Sequence, residues 1–273
     1  QPNLSATVRE VEEELGITVF MRNNRGITVT AEGEEFLGYA KQVVEQYHLL
    51  ENRYLNVESK KKFSVSMQHY SFAVKAFVQL AKEVGMDEYE FAVHETKTKE
   101  VIDNVKNLKS EIGVLYLSDF NEKVLRKLFK ECDIEFKELF TCNTYVYLWK
   151  KHPLAGKKVI TLDDLQEYPC LTFEQGVNNS FYYAEEMMST YEYKRVIKAD
   201  DRATMLNLMV GLNGFTLCSG IISEDLNGDD YAAIPLKESE KMHIGYIKHK
   251  GTKLSKLGEI YIDALKNYEN KVL

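Results

Sequence analysis

Two groups of side chains in this 273-residue chain have the types and spacing for recognition, and no catalytic motif competes with them. The first group is at the start. Gln1, Ser5 and Arg9 lie off a stripe of Leu4, Val8, Val11 and Leu15 that recurs at helical spacing, so a polar face remains for a partner. Arg22 and Arg25 follow closely. The second group consists of Gln68, His69, Tyr70 and Ser71, then Thr96, Lys97 and Thr98, then Thr172, Phe173, Arg202 and Ser219. Amides, hydroxyls, rings and two cations of this kind hold a ligand by hydrogen bonds and charge; each residue type also caps helices.

Catalytic patterns are missing. No G-x-S-x-G, Walker A or G-x-G-x-x-G segment occurs, so neither a nucleophile elbow nor a phosphate cradle is expected, and no catalytic residue is assigned. The chain is not expected to be an enzyme. Glu185-Glu186 and Asp200-Asp201 are adjacent pairs, and neighbours on a helix do not share a face, so solvation or capping is their expected role. The six His form no ligand cluster, and neither a metal nor a cofactor is expected. Cys132, Cys142, Cys170 and Cys218 form no C-x-x-C pair and read as reduced thiols rather than a redox switch.

The elements that must position the first group are marked locally. Pro2 suits a first helical position and Gly16 the left-handed residue just past a helix end, which predicts a helix up to Leu15-Gly16. Val19 to Arg22 and Ile27 to Thr30 are β-rich arms around a polar turn, Asn23 to Gly26, and read as a two-stranded wing. Thr30 suits an N-cap, with Glu32, Glu34 and Glu35 in the first turn of a helix expected to reach about Val57. Phe36, Ala40, Val43, Tyr47, Leu50, Tyr54 and Val57 alternate spacings of four and three. This is the seam of a coiled coil, and it predicts dimerisation rather than packing on the helix's own domain.

The same residues resemble the DNA-binding domain of LysR-type transcriptional regulators, with the pattern Q-P-x-L-S, E-x-x-L-G, F-x-R, R-G-x-x-x-T and G-E-x-F-L. Gln1, Pro2, Leu4, Ser5, Glu12, Leu15, Gly16, Phe20, Arg22, Arg25, Gly26, Thr30, Gly33, Glu34, Phe36 and Leu37 fall into it without a gap. The resemblance implies that the first helix is the recognition helix of a winged helix-turn-helix entering the major groove of double-stranded DNA. Gln1 and Ser5 then reach base edges from a helix opened by Pro2, Arg9 meets bases or phosphates, and Arg22 and Arg25 meet phosphates or the minor groove. Ala6 departs from the basic residue that many relatives carry, which puts one contact in doubt. Supporting helices are expected to precede Gln1, so the sequence reads as part of a longer protein. The seam helix becomes the family's linker helix, pairing in a homodimer or homotetramer.

Charge runs against DNA binding. The net charge is −7, and carboxylates outnumber cations within the first sixty residues as well. Position resolves the conflict, since Arg9, Arg22 and Arg25 sit on the recognition helix and wing. At 44% hydrophobic and 28% charged, with no run of about eighteen apolar residues and no signal peptide, the chain reads as cytoplasmic, with no membrane partner.

Beyond Lys60-Lys61-Lys62, strand and helix patterns alternate. Phe63 to Met67, Tyr89 to Val93 and Ile112 to Leu117 read as strands around helices at Ala73 to Val84 and Val101 to Leu108, a βαβαβ unit that requires a parallel sheet. Tyr145 to Trp149 forms a further strand, closed by Lys150-Lys151-His152-Pro153-Leu154. A second set follows: strands near Tyr168 to Phe173, Lys194 to Lys198 and Phe215 to Cys218, helices from about Asn179 to Thr190 and Asp201 to Val210, a last strand Met242 to Lys248 and a closing helix. Ligands of open α/β sheets sit at strand carboxyl ends near helix N-termini, which selects the second group of residues. Lys97 and Arg202 hint at an anionic ligand.

In the resembling family this region holds two subdomains around an effector cleft like that of periplasmic solute receptors, and Thr96 and Thr98 keep the hydroxyl character of its effector loops. The expected fold class is therefore α/β, with a partial winged helix-turn-helix and a long linker helix before a two-subdomain periplasmic-binding-protein-like effector domain. The domains are expected at 1–30 for DNA binding, 31–59 for dimerisation, 60–143 with 248–273 for subdomain I, and 144–247 for subdomain II. The expected function is a transcriptional regulator controlled by a small polar or anionic effector. A stand-alone solute receptor is the alternative, and it leaves the wing and seam unexplained.

Overall fold

In a computed structural model the described residues are 2–23, 26–54, 60–85, 88–178 and 180–269. They form two compact units, Gln1–Ser59 and Lys60–Leu273. In the first, helix α1 (Pro2–Leu15) stops at Gly16, whose φ of +67° a residue without Cβ adopts freely. Strands β1 (Phe20–Asn23) and β2 (Gly26–Val29) pair antiparallel, with Phe20 opposite Val29. Helix α2 (Ala31–Tyr54) follows, and the Thr30 hydroxyl accepts the Gly33 N–H at 2.9 Å, the expected cap. Gly33 also sets how closely helix and ribbon approach: a Cβ there would stand 2.2 Å from the Val19 carbonyl oxygen.

One carboxylate ties the first helix to the wing. Glu12 Oε1 accepts the N–H groups of Val19 at 2.6 Å and Phe20 at 3.0 Å, and Val19 is buried. Glu12→Ala is expected to leave a buried donor unpaired, at a cost of about 1–3 kcal/mol. Hydrogen exchange should then show the Val19 and Phe20 amides exchanging at least tenfold faster than in the parent, and unchanged protection would count against the tether.

Two apolar stripes of this unit stay open. Leu4 is 73% exposed and Val8 and Val11 are half-buried, so the stripe expected to be buried on α1 meets no covering layer among the described residues. On α2, Phe36 and Ala40 are half-buried while Val43 and Tyr47 are exposed at 69% and 58%. Leu50 and Tyr54 are described in backbone only, and Val57 lies outside the described residues.

The second unit opens with β3 (Lys61–Met67), α3 (Ser71–Val84), β4 (Tyr89–Glu95), α4 (Thr98–Lys106) and β5 (Ile112–Leu117), with β3 parallel to both β4 and β5 as expected. The chain then makes a helix and a strand that periodicity reading passed over, α5 (Glu122–Glu131) and β6 (Ile134–Cys142). The second subdomain contains β7 (Tyr145–Trp149), the short capped helix α6 (Leu162–Leu165), β8 (Cys170–Phe173), β9 (Val196–Ala199), α7 (Arg202–Leu212), β10 (Thr216–Cys218), α8 (Glu224–Asn227) and β11 (Tyr231–Pro235). There β10 and β11 flank β7 antiparallel, and β8 pairs with β9 in parallel. Strand β12 (Met242–His249) and helix α9 (Lys256–Lys266) complete the chain.

Two expectations need correction. The larger sheet is mixed, in the order β4-β3-β5-β12-β6, with β12 antiparallel to both neighbours. The last strand therefore belongs wholly to the first subdomain, and a boundary at 247 would cut it. Its place follows from β5, which is buried at every residue and needs a neighbour on both edges. The helix expected from Asn179 to Thr190 also fails to form. Asn179 lies outside the described residues, and beyond it only a 3₁₀ turn, Phe181–Tyr183, is regular before Met188 takes a φ of +55°. Glu185 and Glu186 both turn inward to accept backbone N–H groups, which adjacent residues on a helix, about 100° apart, cannot do together.

Candidate functional site

The turns that close β3 and β10 face one another across the two subdomains. Between them lies a cleft of about 740 Å³, including its open mouth. One wall is His69, Tyr70 and Ser71 at the N-terminus of α3. The opposite wall combines Phe173 and Glu185 with Arg202, Met205 and Met209 of α7 and Thr216 to Ser219. Asp201 positions α7 by accepting the Thr204 N–H at 2.9 Å, the capping role expected for that pair.

The polar contacts bridge the walls. His69 donates its backbone N–H to Glu185 Oε2 at 2.9 Å, its ring Nδ1 lies 2.8 Å from the same oxygen, and the ring stacks on Phe173 at 3.6 Å. Gln175 Nε2 donates to the other Glu185 oxygen at 2.9 Å. Glu186 Oε1 accepts the Phe173 N–H at 2.9 Å. Burial, and then the neighbouring Glu185 charge, push the Glu186 carboxyl up to about 8.

A second layer lies behind the cleft. Gln68 Nε2 donates to Thr98 Oγ1 at 2.6 Å, and Thr98 Oγ1 donates to the Tyr183 carbonyl at 2.7 Å. Gln68 Oε1 accepts the Tyr70 hydroxyl at 2.9 Å and the Tyr116 N–H at 3.2 Å. The Thr98 N–H at the start of α4 donates to Gln175 Oε1 at 3.1 Å, so the protein itself occupies a donor that was expected to await a ligand.

Of the residues singled out in sequence, the fold brings His69, Tyr70, Ser71, Phe173, Arg202 and Ser219 together around the cleft. Gln68 and Thr98 are buried behind it. Thr96, which pairs with Glu100, and Lys97 and Thr172 stand outside the lining. Both cations that hinted at an anion have partners: Arg202 pairs with Glu95, and Lys97 lies 3.4 Å from Asp200. Sequence reasoning missed Glu185, Glu186, Met205, Met209 and Thr216. Only the apolar spacing of Met205 and Met209 was a usable signal, because the acidic pair lies in a segment that does not form the helix expected of it.

On the first unit, Ser5 and Arg9 are exposed on α1. Pro2 begins the helix and Arg22 lies in β1, both described in backbone only, while Gln1 and Arg25 lie outside the described residues. No group of three or more His, Cys, Asp or Glu suited to a metal ion occurs among the described residues, and no described helix is long and apolar enough to cross a membrane.

A helix-and-wing unit followed by a two-subdomain α/β receptor with a lined cleft defines a ligand-responsive regulator that reads DNA. The chain belongs to the LysR family of bacterial transcriptional regulators: residues 1–34 match the family "Bacterial regulatory helix-turn-helix protein, lysR family", and residues 86–269 match the "LysR substrate binding domain". It is 25% identical to the HTH-type transcriptional regulator CysL of Bacillus subtilis (strain 168) over 285 aligned residues, spanning all of this chain and 90% of CysL. A full-length OxyR variant from Pseudomonas aeruginosa superposes with a TM-score of 0.70 at 17% identity, over 97% of this chain and 85% of that one. The effector-binding domain of QuiR, solved with shikimate, superposes with a TM-score of 0.51 at 18% identity, over 78% of this chain and 99% of that domain.

The protein is thus a DNA-binding transcriptional regulator controlled by a small-molecule effector bound between two α/β subdomains. The alternative of a receptor without a DNA role gives way to the helix-turn-helix match at residues 1–34.

Proposed function

We propose that residues 1–30 read the operator, 31–59 join subunits into a homodimer or homotetramer, and the cleft lined by His69, Tyr70, Ser71, Phe173, Arg202 and Ser219 receives the effector. Gln68 and Thr98 then act as a hinge seat rather than as ligand contacts. The protein works in the cytoplasm and performs no catalysis. One observation carries this reading: the bond from His69 to Glu185 at 2.8 Å joins the two subdomains across the cleft, so a ligand entering there must displace it or brace it. Either change alters how the subdomains meet, which is a physical means of signalling.

Gln1, Ser5 and Arg9 are assigned to base edges or nearby phosphates, and Arg22 and Arg25 to the backbone or minor groove. Ser5→Ala is expected to lower discrimination between operator and unrelated duplex by about 1 kcal/mol or more. Arg25→Ala is expected to weaken all sequences alike and to flatten the salt slope by roughly one unit. Fluorescence anisotropy of the complete protein across a salt series separates the two. Absence of any duplex binding at low salt, with the protein's own upstream region included, would overturn the assignment.

A further inference from the structure

We propose that the effector carries a positively charged nitrogen, a primary amine held as its ammonium against Glu186 and Glu185, with its apolar part on Met205 and Met209. The inference rests on the cleft reading above and adds the class of ligand.

The first argument is an inventory of charge. Glu185 and Glu186, both buried, line the cleft, and the only Arg or Lys in the lining is Arg202. That guanidinium is already paired with Glu95, as Lys97 at the rim is with Asp200. An anion entering the cleft would meet no unpaired Arg or Lys in the lining, and His69, the remaining basic side chain there, is already bonded to Glu185 at 2.8 Å, so the Glu185 charge opposes an anion with nothing free to offset it. A cation meets the opposite field.

The second argument is an incomplete hydrogen-bond site. Thr216 lines the cleft and is 6% exposed, and its hydroxyl has no hydrogen-bond partner among the described residues. Its oxygen is enclosed, and buried hydroxyls are rarely left without a partner, so a molecule that enters and shifts the neighbouring side chains would complete it. An ammonium offers three donors, enough for a carboxylate and a hydroxyl together. Met205 and Met209, in the same lining, supply a deformable apolar surface for a chain of methylenes.

The surroundings of Glu186 point the same way. Tyr70, Tyr116, Tyr193 and Cys170 lie around it and are held in their neutral forms by burial; the charged groups about it are Glu185, which is bonded to His69, and Glu240, which acts on the same Tyr116. Its carboxyl, held up at about 8, carries a proton near neutral pH. On binding, the ammonium takes the place of that proton, which passes to solvent: one proton leaves for each cation bound. Affinity should therefore rise with pH through neutrality, by up to about tenfold per unit, until Glu186 is ionised without ligand.

The test is isothermal titration calorimetry of the complete protein with pentylamine, 1,5-diaminopentane and, as the matched anion, pentanoate. Both amines are expected to bind while pentanoate does not. At about pH 7, heats measured in buffers of different ionisation enthalpy should show close to one proton released. Glu186→Gln keeps an acceptor for the Phe173 N–H and is expected to weaken the amines at least tenfold, as is Thr216→Val by a smaller factor, while Thr96→Ala, outside the lining, changes nothing. Binding of pentanoate but not of the amines would overturn the charge assignment and leave the cleft reading standing. Amine binding that is the same in Glu186→Gln, Thr216→Val and parent would place the amine elsewhere and overturn the inference, as would binding of neither class. If filling the cleft with Met209→Trp also left the effector response of DNA binding intact, the cleft reading itself would fall.

Discussion

Glu186→Gln is expected to stabilise the ligand-free protein by on the order of 3–5 kcal/mol at about pH 8.5 and to change it little near pH 5. The sign follows from where the proton sits. In the unfolded chain this carboxyl titrates in the ordinary range near 4.5, and in the folded chain burial and Glu185 hold it up to about 8. Between those values the unfolded state has lost its proton and the folded state has kept it, so folding must take one up. Each pH unit crossed costs about 1.4 kcal/mol, and the penalty is complete once pH exceeds the folded value. Glutamine does not titrate, and it preserves the acceptor at 2.9 Å from the Phe173 nitrogen. Urea unfolding of parent and variant at several pH values reads the difference. Parallel stability curves for parent and Glu186→Gln would mean that the buried carboxyl does not titrate as described.

Val43→Asp should dissociate the proposed oligomer while leaving the subunit folded. Within one chain Val43 is 69% exposed, so an aspartate there stays hydrated and costs the isolated subunit almost nothing. Across a paired seam the same carboxylate would be buried without a partner, at several kcal/mol, which is more than a hundredfold in the association constant. The effect must then fall on assembly alone. Sedimentation equilibrium of the complete protein measures it, and circular dichroism confirms that helix content is kept. Tyr39 is also exposed, at 60%, but lies off the four-three repeat, so Tyr39→Asp is expected to matter much less. If Tyr39→Asp dissociates the oligomer and Val43→Asp does not, the register of the seam is wrong.

What could be read without the fold is what depends on neighbours in sequence. Pro2, Gly16, the β-rich arms around Asn23 to Gly26, the Thr30 cap and the 61–117 alternation are each settled within a few residues, by a missing N–H, a positive φ, a side-chain acceptor or the period of the apolar positions. The four-three repeat of α2 was legible for the same reason. Part of the shortfall was avoidable: Leu125 and Phe129 of α5, and Ile134, Phe140 and Cys142 of β6, are buried at periodic spacings that were there to be found.

The rest was decided by distant residues. The place of β12 between β5 and β6 is a choice among sheet edges, and nothing within Met242–His249 names its neighbours. Glu185 and Glu186 look like a solvated pair in sequence, because only the N–H groups of His69, from the turn after β3, and of Phe173, from β8, make an inward turn favourable. Lys97 and Arg202 suggest an anion until Asp200 and Glu95 are seen beside them. By itself the sequence carried the family resemblance and the first helix with its wing, since a motif at fixed spacing and local pattern suffice for those. The lining of the cleft and the pairing of its charged side chains came only with the tertiary structure, because burial and pairing depend on residues far apart in the chain.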